Sequence, residues 1–254
     1  MLWTIPAGIL AGLILGYLGA GGTIIGLPFV LFLMGLPPHT ALGTNALGVS
    51  LIAIALLIYR LANREVLVKE GLLFAIPGIA GDFAGVRVGL IFPGQRLIFL
   101  LGILLFLVAG WMFYLSTRSG PGVTVPENNP GERKLDKRHV IRITITAFVV
   151  GATAGFFAVG GGFMIVPGLI LAGGLELGEA AAASLIPIAL FSGWIGLSYL
   201  TAGEAALGDS LMMLAPGILG GVAGVWLGQR LSKRTTQRIF AAFLIGLGFY
   251  MSFR

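Results

Sequence analysis

The first charged side chain in this sequence is Arg60, and the 59 residues before it hold no Lys, Arg, Asp or Glu and one histidine, His39. An ordinary soluble domain carries a charge at roughly every fourth residue, so a stretch this long without one belongs in lipid. Further uncharged runs cover Leu97–Thr117, Ile143–Leu175, Ala180–Gly203 and Ser210–Gln229. The hydrocarbon core of a bilayer is about 30 Å thick and takes roughly 20 helical residues to cross, so five such stretches predict several spans. Only 26 of the 254 residues are charged and 57% are apolar, which excludes a soluble enzyme. The 41 glycines lie among Leu, Ile and Val with no G-X-Y period. That excludes collagen-like and disordered chains and predicts closely packed, interrupted helices. The basic residues sit between the apolar runs, as topology determinants do, and not in a stripe with interleaved aromatics, so nucleic acid is excluded as a partner. With no cysteine and two histidines, His39 and His139, thiolate and multi-His metal centres are excluded as well. The start Met1-Leu-Trp-Thr-Ile-Pro lacks a basic n-region, so the first apolar segment is expected to be retained.

The chain contains itself twice. A shift of 139 residues places Gly21-Gly22-Thr-Ile-Ile-Gly-Leu-Pro28 on Gly160-Gly161-Gly-Phe-Met-Ile-Val-Pro167. The same shift places Pro77-Gly-Ile-Ala-Gly and its continuation to Gly89 on Pro216-Gly-Ile-Leu-Gly and its continuation to Gly228. One register serving two motifs marks a duplication. The Pro- and Gly-rich polar stretch at Ser116–Arg138 separates the copies, so the expected organisation is a first transmembrane repeat over 1–115, a cytoplasmic linker over 116–139 and a second repeat over 140–254.

Thr40–Ile58, Gly71–Gly89, Leu97–Leu115, Ala180–Leu200, Leu211–Gln229 and Thr235–Met251 have the length of ordinary spans. The opening segments, Leu2–Leu36 and Val140–Leu175, are too long for one upright helix and too short for two full crossings with a turn. Each is either one long tilted helix or a discontinuous element that turns at Gly19–Gly22 and Val159–Gly162. Charge favours the second. With each segment crossing once, 10 Lys/Arg fall inside and 6 outside; with both re-entrant, the split is 13 to 3, as the positive-inside rule prefers. Three full crossings per half then make the repeats antiparallel. The expected fold is all-α: a polytopic membrane protein of two homologous, inverted repeats containing broken or re-entrant helices.

A helix opened in the membrane exposes amides that lipid cannot satisfy, so it must line protein or a polar cavity. A half-helix N-terminus there attracts anions. Gly19, Gly21, Gly22, Gly160, Gly161 and Gly162 are therefore candidate backbone contacts to an anion, with the Thr23 hydroxyl beside them. Pro28 and Pro167 each remove a helical donor and are candidate break or gating positions. Thr44 and Asn45 align with Ala183 and Ser184, so Asn45 and Ser184 occupy equivalent sites as neutral donors; helix packing is their alternative role. Ser50, Ser192 and Ser198 are weaker candidates. Asp82 stands mid-span opposite Gly221 of the other repeat, which suits a proton relay, a gate or a structural pair but not contact with an anion. Arg87 snorkels to the interface and His39 is an interfacial turn residue. Trp3, Trp111, Tyr114 and Tyr199 are expected in an aromatic belt, with Trp194 and Trp226 in packing.

At Gly-Ala-Gly-Gly-x5-Pro over Gly19–Pro28, Ala41-Leu-Gly-Thr-Asn45 and Val159-Gly-Gly-Gly-x4-Pro167, the chain resembles the TauE/SafE family of membrane permeases along nearly its whole length. The resemblance implies a multi-pass transporter of small sulfur-containing anions, sulfite or organosulfonates, in a prokaryotic inner membrane. The second copy departs from the first in having Ala183-Ser184 for Thr44-Asn45. The expected mechanism is secondary transport by alternating access, in the export direction. An anion channel and a structural membrane subunit of a larger complex are the alternatives. No Walker-type motif is present and no cofactor is expected. Coupling to protons or to the anion's own gradient stays open, as does the oligomeric state. An intramembrane enzyme is disfavoured because no metal-ligand cluster or Ser/His/Asp arrangement is visible.

Overall fold

The computed structural model describes residues 3–19, 21–118, 137–228 and 230. They form helices and connecting turns, with no strand among the described residues. The chain divides into two compact units, Met1–Ile91 with Lys134–Gln229, and Phe92–Arg133 with Arg230–Arg254. The second contains the helix Gly94–Arg118, whose Gly94–Leu107 portion is apolar. The expected span Thr235–Met251 and most of the linker lie outside the described residues.

In the first unit the chain forms α1 (Thr4–Leu18), α2 (Gly22–Pro28), a π-helical turn (Phe29–Leu33), α3 (Pro38–Ala62) and α4 (Val68–Ile91). After the linker come α5 (Lys137–Phe157), α6 (Gly162–Gly173), α7 (Leu177–Ala183), α8 (Leu185–Thr201), α9 (Leu207–Met212) and α10 (Leu214–Gly228). Among the described residues, five stretches are long and apolar enough to cross a membrane: Pro38–Ala62, Val68–Ile91, His139–Phe157, Leu177–Thr201 and Leu207–Gly228. The 139-residue shift carries Pro38–Ala62 onto Leu177–Thr201 end for end.

Both long opening segments are broken helices that fold back, not single tilted ones. Gly22 lies against Ala11 and Leu15, and Gly26 against Ala11, so α2 returns along α1. In the second copy Gly161 meets Ala154, Gly168 meets Thr146, and the Arg142 guanidinium donates to the Leu171 carbonyl at 3.0 Å. The bends occur where glycines take left-handed backbone, Gly19 (φ 62°) and Gly21 (φ 83°) in one copy, Gly160 (φ 60°) and Gly161 (φ 65°) in the other, a conformation that costs other residues about 1–2 kcal/mol.

Prolines account for the remaining irregularities. Pro28 offers no N–H to the helical ladder, and the following turn widens into a π-helix closed by Met34 N–H to the Phe29 carbonyl at 3.1 Å. Pro167, by contrast, lies inside α6, which continues to Gly173, so it does not break the helix. Two expected spans are interrupted. Pro187 cannot bond the Ala183 carbonyl, dividing α7 from α8 at Ser184, and Pro216 divides α9 from α10 at Met213 in the same way.

The copies interlock through glycine-lined faces. A Cβ built on Gly12 would lie 1.9 Å from the Gly217 carbonyl oxygen, and one built on Gly151 would lie 1.9 Å from that of Gly78. These two contacts are images of each other, since 12 + 139 = 151 and 217 − 139 = 78. The successive pairs Gly8–Met213, Gly12–Gly217 and Gly16–Gly221 make α1 and α10 run in one direction. Gly78–Gly151, Asp82–Gly155 and Gly89–Phe156 do the same for α4 and α5. Helix α3 runs with α10, through Gly48–Met213, Ile52–Gly217 and Leu56–Gly221, and against α8, through Gly43–Tyr199, Leu47–Gly196 and Ser50–Gly193. Helix α4 runs with α7 and α8, Gly71 meeting Ile186 and Gly78 meeting Phe191. Helices α1, α3 and α10 thus point one way and α4, α5 and α8 the other.

Two aromatic expectations reverse. Tyr199 is fully buried, its ring edge-on to His39 at 6.0 Å in the first turn of α3, while Trp226 is 54% exposed on the outer face. The side chains of Trp111 and Tyr114 lie outside the described residues. Arg87 is exposed with its guanidinium 4.1 Å above the Phe83 ring, which itself packs on Trp194.

Candidate functional site

The two bends meet. The Thr23 hydroxyl, in the first turn of α2, donates to the Val159 carbonyl in the bend of the other copy. Its methyl would lie 3.4 Å from a Cβ on Gly160. Asn45 of α3 joins them by donating its amide to the Thr23 carbonyl at 2.6 Å. From α8, the Ser192 hydroxyl covers Gly160 so closely that it occupies the space of a Cβ there. One buried centre therefore gathers Gly21, Gly22, Thr23, Asn45, Gly160, Gly161, Gly162 and Ser192.

Its chemistry is that of neutral donors. Ser192 is fully buried and its hydroxyl has no hydrogen-bond partner; Asn45 is 1% exposed and its Oδ1 is also without one. Buried polar atoms of this kind are rare enough to need a reason, such as a missing ligand or water. The first N–H groups to find helical acceptors are Ile25, bonded to the Gly21 carbonyl at 3.1 Å, and Met164 and Ile165, both bonded to that of Gly161. The amides of Gly22, Thr23 and Ile24, and of Gly162 and Phe163, precede these and have no intrahelical acceptor. Two positive helix ends therefore lie side by side. Arginines meet carbonyls in the last turns of α1 and α6. Arg60, 8% exposed, donates to the Gly16 carbonyl in the last turn of α1 at 2.8 Å and lies 3.7 Å from Glu65. Arg142 donates to Leu171 in the last turn of α6 at 3.0 Å. The leading amides of α2 and α6 are donors of the kind that hold an anion at a helix start.

Other expected residues stand apart from that centre. Ser184 and Gly19 pair with each other, the Ser184 hydroxyl lying 2.5 Å from the Gly19 carbonyl and 2.9 Å from that of Ala181. Thr44 faces α9, where its hydroxyl accepts from the Ala206 N–H at 2.8 Å and its carbonyl from the Ser210 hydroxyl at 2.9 Å. Ser50 donates to the Ala189 carbonyl at 2.9 Å, and Pro28 and Pro167 follow the bends by about two turns. Asp82 lies between α4 and α5 beside Gly155, three residues before the second bend. Ser192 ranks low by sequence because an isolated serine in an apolar run commonly bonds its own helix. Arg60 and Arg142 read there only as topology signals.

The chain is similar to a protein described as a probable membrane transporter protein from Xylella fastidiosa strain Temecula1, 34% identical over 257 residues that cover 100% of this chain and 95% of the relative. A second from strain 9a5c is 33% identical with the same coverage. The probable membrane transporter protein YunE of Bacillus subtilis is 24% identical over 95% of this chain and 93% of its own. No solved structure matches. Residues 4–251 match the family described as Sulfite exporter TauE/SafE. Apolar spans, glycine-broken hairpins and this match over nearly the full length agree: the chain is a multi-pass membrane transporter and belongs to the TauE/SafE family.

Proposed function

We propose that this transporter is a secondary carrier that exports small sulfur-containing anions, sulfite or organosulfonates, across a prokaryotic inner membrane by alternating access. The observation that carries this reading is the convergence of two glycine bends, each opening on helix-start amides, on the buried Ser192 hydroxyl, which has no partner among the described residues. Ser192, Asn45, Thr23 and the leading amides of α2 and α6 would hold the oxyanion with dipoles and no fixed counter-charge, which permits release as well as binding. The opposed directions of α1 and α5, and of α3 and α8, support an inverted pair of repeats. Each repeat's first helix grips the second full crossing of the other repeat through glycine, a contact across which the halves would rock. A cell interior negative by about 100 mV favours expulsion of a monoanion by roughly 2.3 kcal/mol, enough to drive export.

The test is flux in proteoliposomes across sulfite, sulfate, sulfonates and carboxylates. Sulfite or sulfonate counterflow is expected, with saturation, and Ser192→Ala should raise its KM. Transport of carboxylates alone would reject the substrate class, and unsaturable flux without counterflow would make the protein a channel.

A further inference from the structure

Asp82 is fully buried, and neither carboxylate oxygen has a hydrogen-bond or ionic partner among the described residues. It packs against Gly155, and a Cβ there would lie 2.9 Å from Asp82 Oδ1. The image of this contact on the other side of the molecule is Gly16 against Gly221. The two interlocking faces are therefore alike in backbone, and only one of them contains an acid.

Among the described residues of the helices packed around it, no cation faces that acid. On its own helix Lys69 and Glu70 are three turns away, and Arg87 is stacked on Phe83. On α5 the titratable residues Lys137, Arg138, His139 and Arg142 belong to the first two turns, whereas Asp82 meets Gly155 near the end. Helix α6 has no titratable residue, α7 has Glu179 and α8 has Tyr199. An ionised carboxylate with no partner in a low-dielectric interior costs far more than a neutral one.

We propose that Asp82 is a proton-binding site: its carboxyl holds a proton while α4 and α5 are closed on each other, and releases it to water only when the two helices part. Closing the α4–α5 face then requires a proton on Asp82, while the α1–α10 face, with Gly221, closes without one. This makes one of the two rocking contacts sensitive to the proton gradient, and its place in the transport cycle rests on the carrier reading above.

Two measurements on the full chain in lipid vesicles test it. Infrared difference spectra of wild type against Asp82→Asn and Asp82→Gly at neutral pH should contain one protonated-acid carbonyl band that both substitutions remove; absence of the band, or its survival in both variants, overturns the proposal. Asp82→Gly reproduces the residue of the other copy and guards against a misfolded Asp82→Asn. In sulfite flux, both variants should lose the response to an imposed pH gradient and keep counterflow. A retained response overturns the proposal, and so does joint loss of response and counterflow in both variants, the mark of a residue that only holds the helices together. A band without any sulfur-anion flux in wild type rejects the carrier reading and supports the proton site.

Discussion

Gly160→Ala tests the centre where the bends meet, because two separate penalties fall on one methyl group. The residue has φ 60°, so alanine there takes a left-handed backbone at about 1–2 kcal/mol. The new Cβ would also lie 1.9 Å from Ser192 Oγ, against a normal carbon–oxygen contact of about 3.3 Å, an overlap of roughly 1.4 Å. Overpacking of this kind costs about 1–3 kcal/mol, so the single substitution should destabilise by about 2–5 kcal/mol. Ser192→Ala removes the clashing oxygen and leaves its Cβ at 3.2 Å from the new methyl, a tight but tolerable contact. Because the Ser192 hydroxyl has no partner, that change alone should be close to neutral.

The double variant should therefore retain only the backbone penalty, and the cycle should show about 1–3 kcal/mol of favourable coupling. Denaturant-induced unfolding in mixed micelles, followed by tryptophan fluorescence, gives the four free energies. Additivity within about 0.5 kcal/mol, the behaviour of independent sites, would refute the contact between the second bend and α8, and with it the convergence of the two bends.

Four further outcomes follow from the same geometry. Ala158, at φ 52°, is the image of Gly19 at φ 62°; Ala158→Gly should stabilise by up to about 1 kcal/mol, as left-handed strain exceeds the entropy cost of glycine, whereas Gly19→Ala would drive a Cβ to 2.1 Å from the Ala181 carbonyl oxygen and should be among the most destabilising changes in the chain, both read by thermal unfolding. Gly12→Ala and Gly151→Ala, whose clashes are images of each other at 1.9 Å, should cost similar amounts, about 1–3 kcal/mol; a severe effect at only one would break the packing symmetry. Arg60→Leu leaves the α1 C-terminus uncapped and should cost about 1.5–3 kcal/mol, the range for a charged hydrogen bond. Single cysteines at Asn63 and Gly203, both exposed and following the C-termini of the antiparallel helices α3 and α8, should label from opposite sides of the membrane, since the chain has no cysteine of its own.

What could be read from the sequence was whatever repeats or whatever lipid enforces. Spans are visible because lipid tolerates few charges, and the bends because Gly19–Gly22 and Val159–Gly162 interrupt runs of the wrong length for one crossing or two. The fold-back follows from the same lengths together with the positive-inside count. Partners across space were hidden. Nothing local says that Thr23 bonds Val159 across 136 residues, or that Ser192 and not Ser184 covers the second bend. Thr44 and Asn45 are neighbours of similar polarity, yet a step of about 100° around α3 turns one toward α9 and the other toward Thr23. Pro187 and Pro216 were present as letters, and their effect on the expected spans at Ser184 and Met213 follows from missing donors.

The duplication also explains why function should break the symmetry it inherits. Gly12 on Gly217 and Gly151 on Gly78 keep the two glycine-lined contacts alike in packing. The polar residues differ instead: Thr23 faces Gly162 in the alignment, Asn45 faces Ser184, and Asp82 faces Gly221. Thr23 comes from the first copy and reaches the bend of the second, with Asn45 of the first copy bonded to it, while Ser192, aligned with Ala53, comes from the second. The symmetric residues are those that must let backbones touch, and the asymmetric ones are those that can hold a charge or a proton. Mutating the first set should alter stability in matched pairs, whereas mutating the second should alter flux one copy at a time.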